Sequence, residues 1–176
     1  MVPNIVLVGF MGCGKSSVGR RLSASTGHRF VDTDELVAES AGLSISEIFS
    51  FSGEKGFRDL EADVLAELAG VCGVVLSTGG GIVVSEGNCA RLRKMGVVAW
   101  LDADEDVLFE RASRSGRRPL LQTEDPRASF HKLLDFRRAL YDGVSDFRVD
   151  STGLTHDEVA SRALEEALHH HRRFAH

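Results

Sequence analysis

The segment GFMGCGKS, residues 9–16, constrains this chain more than any other part of it. It spells a phosphate-binding loop in full: glycine, four free positions, glycine, lysine and a hydroxyl residue. The apolar run 5–8 just before it reads as a buried strand, and 16–25 just after it reads as a helix that Gly27 closes. Glycines let successive backbone N–H groups turn inward onto phosphate oxygens, and the helix that follows adds unpaired N–H donors and the positive end of its dipole. Such a loop suits a multiply charged anion. Lys15 is placed to reach the β- and γ-phosphates of a nucleotide, and the Ser16 hydroxyl to ligate Mg²⁺, a hard cation that prefers oxygen. Gly12, Cys13, Gly14 and Ser17 complete the cradle. Cys13 reads either as a small residue filling a loop position or as a thiol whose pKa the helix dipole and Lys15 lower.

The rest of the chain alternates in the same way. A short apolar strand is expected at 29–31 and a helix at 35–41, while 74–76 and 97–101 are continuous apolar runs and 147–149 a shorter one. Runs that are apolar on both faces belong to a parallel sheet covered by helices. Helical patterns fill the gaps. Ser44 and Glu47 have the spacing of a capping box, and 157–168 repeats Val159, Ala163, Leu164 and Leu168 at helical intervals. The expected fold is therefore α/β, a three-layer P-loop arrangement with a central parallel sheet flanked by helices and right-handed crossovers. With 176 residues, the chain has room for one such domain, 1–176. The basic stretch 169–173, with three consecutive histidines, reads as a frayed helix end.

Composition excludes several function classes. Lys and Arg total 21 against 26 for Asp and Glu, a formal charge of −5, which is poorly suited to non-specific nucleic-acid binding. The apolar runs are strand-sized, far short of the roughly 20 residues that span a bilayer, and no signal peptide follows Met1. Three cysteines without a CxxC spacing read as thiols in a reducing compartment. A cytoplasmic monomer without nucleic-acid or membrane partners is expected.

Several further groups are expected at the same rim as the loop. In an open α/β sheet, ligands bind beyond the carboxyl ends of the strands. Asp32-Thr33-Asp34 ends the second strand; extended backbone there would aim both carboxylates into one crevice, while the alternative is helix capping by Asp32 or Thr33. Gly79, Gly80 and Gly81 follow the third strand, where backbone can approach a ligand closely. Arg58 has Glu61 one helical turn later. That pair is either a solvent-exposed salt bridge, the reading that spacing alone favours, or a carboxylate that orients a guanidinium to fork onto an anion. The basic, glycine-containing stretch 113–125 suits a mobile lid that closes arginines over phosphates.

Taken in order, GFMGCGKSSVGRRLS, DTDELV, SISEIFSFSGEKGFRDLE, STGGG and RRPLL resemble shikimate kinase over nearly the whole chain. The resemblance implies an ATP-dependent, Mg²⁺-dependent kinase that phosphorylates the 3-hydroxyl of shikimate. It implies that Asp34, Arg58, Gly79, Gly80, Gly81 and Arg137 hold shikimate within the segment 33–61 and beyond. Arg58 and Arg137 would grip its carboxylate, Asp34 its reacting hydroxyl, and Phe49 and Phe57 its ring. Asp32 would stand near Mg²⁺ through water, with Ser77 where many P-loop enzymes place an acid. Arg118 would be the lid arginine at the transferring phosphate, with Arg117 beside it, and Arg111 a neighbour of the adenine. One departure stands out: the family's R-x-P-x-Y segment appears here as Arg137-Arg138-Ala139-Leu140-Tyr141, so the choice between Arg137 and Arg138 stays open.

Overall fold

The computed structural model describes residues 2–114 and 123–174. Five strands form one sheet, β1 (Ile5–Val8), β2 (Arg29–Asp32), β3 (Val74–Ser77), β4 (Val97–Asp102) and β5 (Phe147–Asp150), in the order β2-β3-β1-β4-β5. Every neighbouring pair is parallel. The three central strands are buried along their whole length, whereas β2 and β5, at the edges, are only partly covered. Burial on both faces is the physical reason that β1, β3 and β4 carry uninterrupted apolar runs. Each fully buried Leu or Ile in them contributes on the order of 1.5–3 kcal/mol.

The helices are α1 (Lys15–Thr26), α2 (Thr33–Ala41), α3 (Ile45–Glu67), α4 (Glu86–Met95), α5 (Glu105–Arg114), α6 (Pro126–Val144) and α7 (His156–Phe174). Their ends follow local chemistry. The capping box at Ser44 forms, with Ser44 and Glu47 each accepting from the other's backbone N–H, and Ser85 and Asp125 cap α4 and α6. Gly27 ends α1 in the left-handed conformation, as its position predicted.

The expectations for the start of α2 and for the histidine-rich stretch need correction. Helix α2 begins at Thr33 rather than at 35, because the Asp32 carboxylate accepts from the Asp34 backbone N–H and starts the turn there. Asp32 is therefore both the last extended residue of β2 and the cap of α2, and Thr33 and Asp34 form the first helical turn instead of continuing the strand. Helix α3 is bent where Gly53 takes a positive φ of 66°, dividing the run into two helical pieces at different angles. The histidine-rich stretch does not fray at 168: α7 continues to Phe174, and His170 reaches Asp146 at 3.3 Å. Among the described residues no helix is long and apolar enough to cross a membrane.

Strand register fixes where chemistry can occur. Leu7 and Asp32 both pair with Ser77, so the ends of β1, β2 and β3 arrive at one edge together. The loop after β1, the start of α2 and the glycines after β3 then issue from that same edge.

Candidate active site

The nucleotide half of the site is built mainly from backbone. Gly14 precedes α1 in the left-handed conformation, φ 90°, and no side chain caps the helix. The first turn of α1 also carries no acidic residue. Its N–H groups and dipole therefore face outward without a competing internal anion, the condition for receiving phosphate. Lys15 lies across the loop, its Nζ donating to the carbonyls of Gly9 at 2.8 Å and Phe10 at 3.2 Å. Cys13 is buried with its Sγ 3.5 Å from that ammonium, which makes it packing for the loop and not an accessible thiol. His156, at the start of α7, stands against Gly14: a Cβ built there would meet the imidazole at 3.1 Å. Burial and the charges of Arg21 and Arg111 hold the pKa of His156 below its ordinary value.

Beside the loop, Ser16 Oγ donates to Asp32 Oδ2 at 2.8 Å and lies 3.5 Å from Ser77 Oγ. This donor set is all oxygen and fits a hard divalent cation. Among the described residues no group of three or more His, Cys, Asp or Glu is present to cage a metal. An ion here would take most of its ligands from water and phosphate, as Mg²⁺ does.

A cavity of about 390 Å³ opens from the loop toward α2, α3 and α6. It is lined at one end by Gly12, Gly14, Lys15, Ser16 and Ser17, and at the other by Asp34, Phe49, Phe57, Arg58 and Arg137, with Gly79, Gly80 and Gly81 forming its floor. Phe49 and Phe57 lie on opposite sides of the Gly53 bend, and their rings pack 4.9 Å apart. The bend is what lets two aromatic rings eight positions apart meet and wall one side.

The glycine triplet is explained by what presses on it. A Cβ on Gly79 would come within 2.6 Å of both Asp34 Oδ1 and Glu61 Oε1, and one on Gly81 within 2.0 Å of Arg58 Nη2. Side chains there would push these groups out of the cavity. The loop is tied down by Thr33 Oγ1, which accepts from the Gly79 N–H at 3.0 Å, and by the Tyr141 hydroxyl, which donates to the Gly80 carbonyl.

The Arg58–Glu61 pair is not the solvent-exposed bridge that spacing favoured. Glu61 has 0% of its side chain exposed and Arg58 20%, with Nη1 2.8 Å from Glu61 Oε2; Glu54 holds Nη2 at 3.2 Å. Burial, partly offset by Arg58, lifts the Glu61 pKa to about 7. Burial alone would lower Arg58, but Glu61 and Glu54 outweigh it and raise its pKa. Arg137 is 3% exposed and sits with Phe130, Leu134, Tyr141 and Val144 on the buried face of α6. Burial pulls its pKa below that of an ordinary arginine. Arg138 points elsewhere, its Nη2 donating to the Ala103 carbonyl at 3.4 Å and its Nε 3.9 Å from Asp102. Of the two neighbours, only Arg137 lines the cavity.

Sequence reasoning missed three contributors, namely the burial of Glu61, the tether from Tyr141 and the contact of His156 with the loop. The first two occupy stripe positions of otherwise apolar helix faces, which is a signal that periodicity carries. Arg117 and Arg118 and most of the expected lid lie outside the described residues. Arg111 lies on α5, close enough to His156 for its charge to lower that group's pKa, and does not line the cavity.

Comparison with known proteins agrees with this geometry. A family model described as shikimate kinase matches residues 11–168. The chain is 45% identical to the shikimate kinase of Thermodesulfovibrio yellowstonii over 93% of its own length and 94% of the relative's. It is 44% identical to that of a Synechococcus species over 93% of this chain and 83% of that one. Among solved structures, shikimate kinase from Acinetobacter baumannii in complex with shikimate superposes with a TM-score of 0.92 at 36% identity, covering 96% of this chain and 94% of that chain.

Proposed function

The chain belongs to the shikimate kinase family of ATP-dependent kinases, and from that premise we propose how its residues divide the work of moving the γ-phosphate of ATP to the 3-hydroxyl of shikimate. One observation carries the assignment of roles: a single cavity joins the phosphate loop at one end to a buried arginine, a partly buried one and an aspartate at the other.

At the nucleotide end the backbone from Gly12 to Ser17 wraps the phosphates, and Lys15 swings from the loop carbonyls to the β- and γ-phosphate oxygens. Ser16 and Asp32 are the residues that would hold Mg²⁺ beside the phosphates. The cation, when bound, draws charge off the phosphate oxygens. Arg111 is assigned to the adenine, and Arg118, outside the described residues, to the transferring phosphate.

At the acceptor end Arg58 and Arg137 fork onto the shikimate carboxylate, which fixes the ring between Phe49 and Phe57 and above the 79–81 backbone. Asp34 accepts a hydrogen bond from the 3-hydroxyl and orients its oxygen in line with the γ-phosphorus. As the new P–O bond forms and the bond to the β–γ bridging oxygen breaks, Asp34 takes the hydroxyl proton and ADP departs. There is little covalent work for the protein, and alignment with charge neutralisation supplies the rate.

Three free thiols support a kinase that works in a reducing compartment such as the cytoplasm. A coupled assay of ADP release tests the reaction. Release that depends on shikimate, with gluconate a poor replacement, is expected. Equal release with and without shikimate would refute the acceptor.

A further inference from the structure

The phosphate loop is pressed from two sides. From one, α5 lies against Gly12, where a Cβ would come within 2.5 Å of the Leu108 carbonyl oxygen and 3.2 Å of the Ala112 nitrogen. From the other, α7 brings the imidazole of His156 onto Gly14, with Nε2 3.1 Å and Cδ2 3.2 Å from a Cβ built there. The first contact is backbone packing and has nothing to titrate. The second sets an exposed polar ring at the glycine just before Lys15. Neither nitrogen of that ring makes a hydrogen bond among the described residues. A ring that only packed on the glycine would not need a nitrogen at that edge.

The charged groups that face this imidazole come from three helices: Arg21 on α1, Arg111 on α5 and Asp157 on α7. Arg21 is held in place, its Nε donating to Asp157 Oδ1 at 2.8 Å and its Nη1 to the Ser17 carbonyl at 3.1 Å, so its charge stands at the last residue of the cradle. Asp157 is thereby already engaged. Lys15 is turned away, toward the carbonyls of Gly9 and Phe10. Before a nucleotide binds, two guanidinium groups against one engaged carboxylate leave an excess of positive charge around the ring. Burial of its edge, and then Arg21 and Arg111, hold the His156 pKa below its ordinary value against the opposing pull of Asp157. Phosphates seated on the amides from Gly12 to Ser17 would reverse that field, since they bring several negative charges to the same place.

We propose that His156 is a nucleotide-binding residue of this chain, taking up a proton as phosphate fills the loop and, as an imidazolium, donating to the phosphate oxygens nearest Gly14. The inference rests on the reading that the loop holds the nucleotide. The backbone amides carry a fixed charge; His156 adds one that can change. The sign follows from the direction of the field. Without nucleotide the ring loses its proton below the ordinary histidine value of 6.5, and phosphate, by favouring the charged form, moves that loss to higher pH. Between the two values binding takes up a proton, so affinity strengthens as pH falls through that window. Above it the ring is neutral in both states and contributes no pH dependence.

NMR titration of the histidine ring signals of the full-length protein, with and without saturating ADP, tests this. The His156 pKa should rise by about one pH unit on binding, which by linkage means about tenfold tighter binding of ADP to the imidazolium form. Sequential assignment identifies the ring, so this arm needs no variant to fold. A second arm compares ADP affinity in wild type and His156→Gln from pH 6 to 8, a ratio from which the nucleotide's own titration cancels. Wild type should bind about three- to tenfold more tightly at pH 6 and less than about 1.5-fold more tightly at pH 8. A ring pKa that stays put or falls when ADP binds would overturn the inference while leaving the loop as the nucleotide site. An affinity ratio that does not vary with pH would do the same, because that is what a packing role gives. Failure of the wild-type protein to bind ADP would instead overturn the reading of the loop, and the inference with it.

Discussion

The two ends of the cavity are made in different ways. The proposed nucleotide end is one contiguous stretch after β1, in which backbone N–H groups are the donors offered to phosphate and the start of α1, with no side-chain cap, provides the field. The acceptor end gathers side chains from α2, α3 and α6 over a glycine floor. A site of backbone amides has a fixed charge and a geometry that the local chain already sets. A site of buried side chains has a charge that depends on which neighbours tertiary folding delivers, and so it can respond to proton and ligand alike. The first binds by shape, the second by a balance of ions.

The sharpest way to break this contrast is at Lys15, the lysine of the phosphate loop. Lys15→Ala should lower kcat by about 10²–10³-fold or more, with unfolding free energy within about 1 kcal/mol of wild type. Stopped-assay kinetics with a denaturant titration check both halves; near-normal turnover would show that the loop does not carry the transferring phosphate.

At the acceptor end Arg58→Ala should raise the Michaelis constant for shikimate by about 30-fold or more, the scale for truncating one member of a buried charge pair. The constant for ATP should move less than about twofold, since Arg58 is on the other half. Initial rates with each substrate varied in turn decide it, and parallel loss for both substrates would mean that the ends are not separable.

The smallest expected effect concerns the floor. Gly79→Ala should cost about 1–3 kcal/mol of stability and weaken shikimate several-fold, because the added Cβ meets two carboxyl oxygens at 2.6 Å. Thermal unfolding and acceptor kinetics measure this. A neutral result would mean that Asp34 and Glu61 have room to move, and would loosen the account of why the triplet is glycine.

Much of this was readable before any coordinates. The loop motif between an apolar strand and a helix located the nucleotide end, and continuous apolar runs at 74–76 and 97–101 identified central strands of a parallel sheet. Other features were legible, and only partly used. Arg137 continues the stripe of Phe130, Leu134, Tyr141 and Val144, so helical periodicity separates it from Arg138 even without the missing proline. Glu61 likewise continues Phe57, Val64 and Leu65, and its burial could have been inferred from the same pattern. Spacing alone misjudged it because a pair three residues apart has the same spacing on a wet face and a dry one. Asp32 was weighed as a cap and assigned to a crevice; it does both, through two different oxygens.

What the chain's order of residues determined by itself is the phosphate loop, the parallel sheet and the helix ends, all of which depend on contacts within a few positions or on the apolar period. Tertiary structure decided which ionisable groups meet in the dark. Arg58 and Arg137 converge on one cavity from distant helices, and Glu61 loses its water because α3 bends at Gly53 and packs its buried face inward. The charge of a buried acid is set by solvent exclusion and by partners brought from elsewhere in the chain, and neither is a property of its neighbours in sequence.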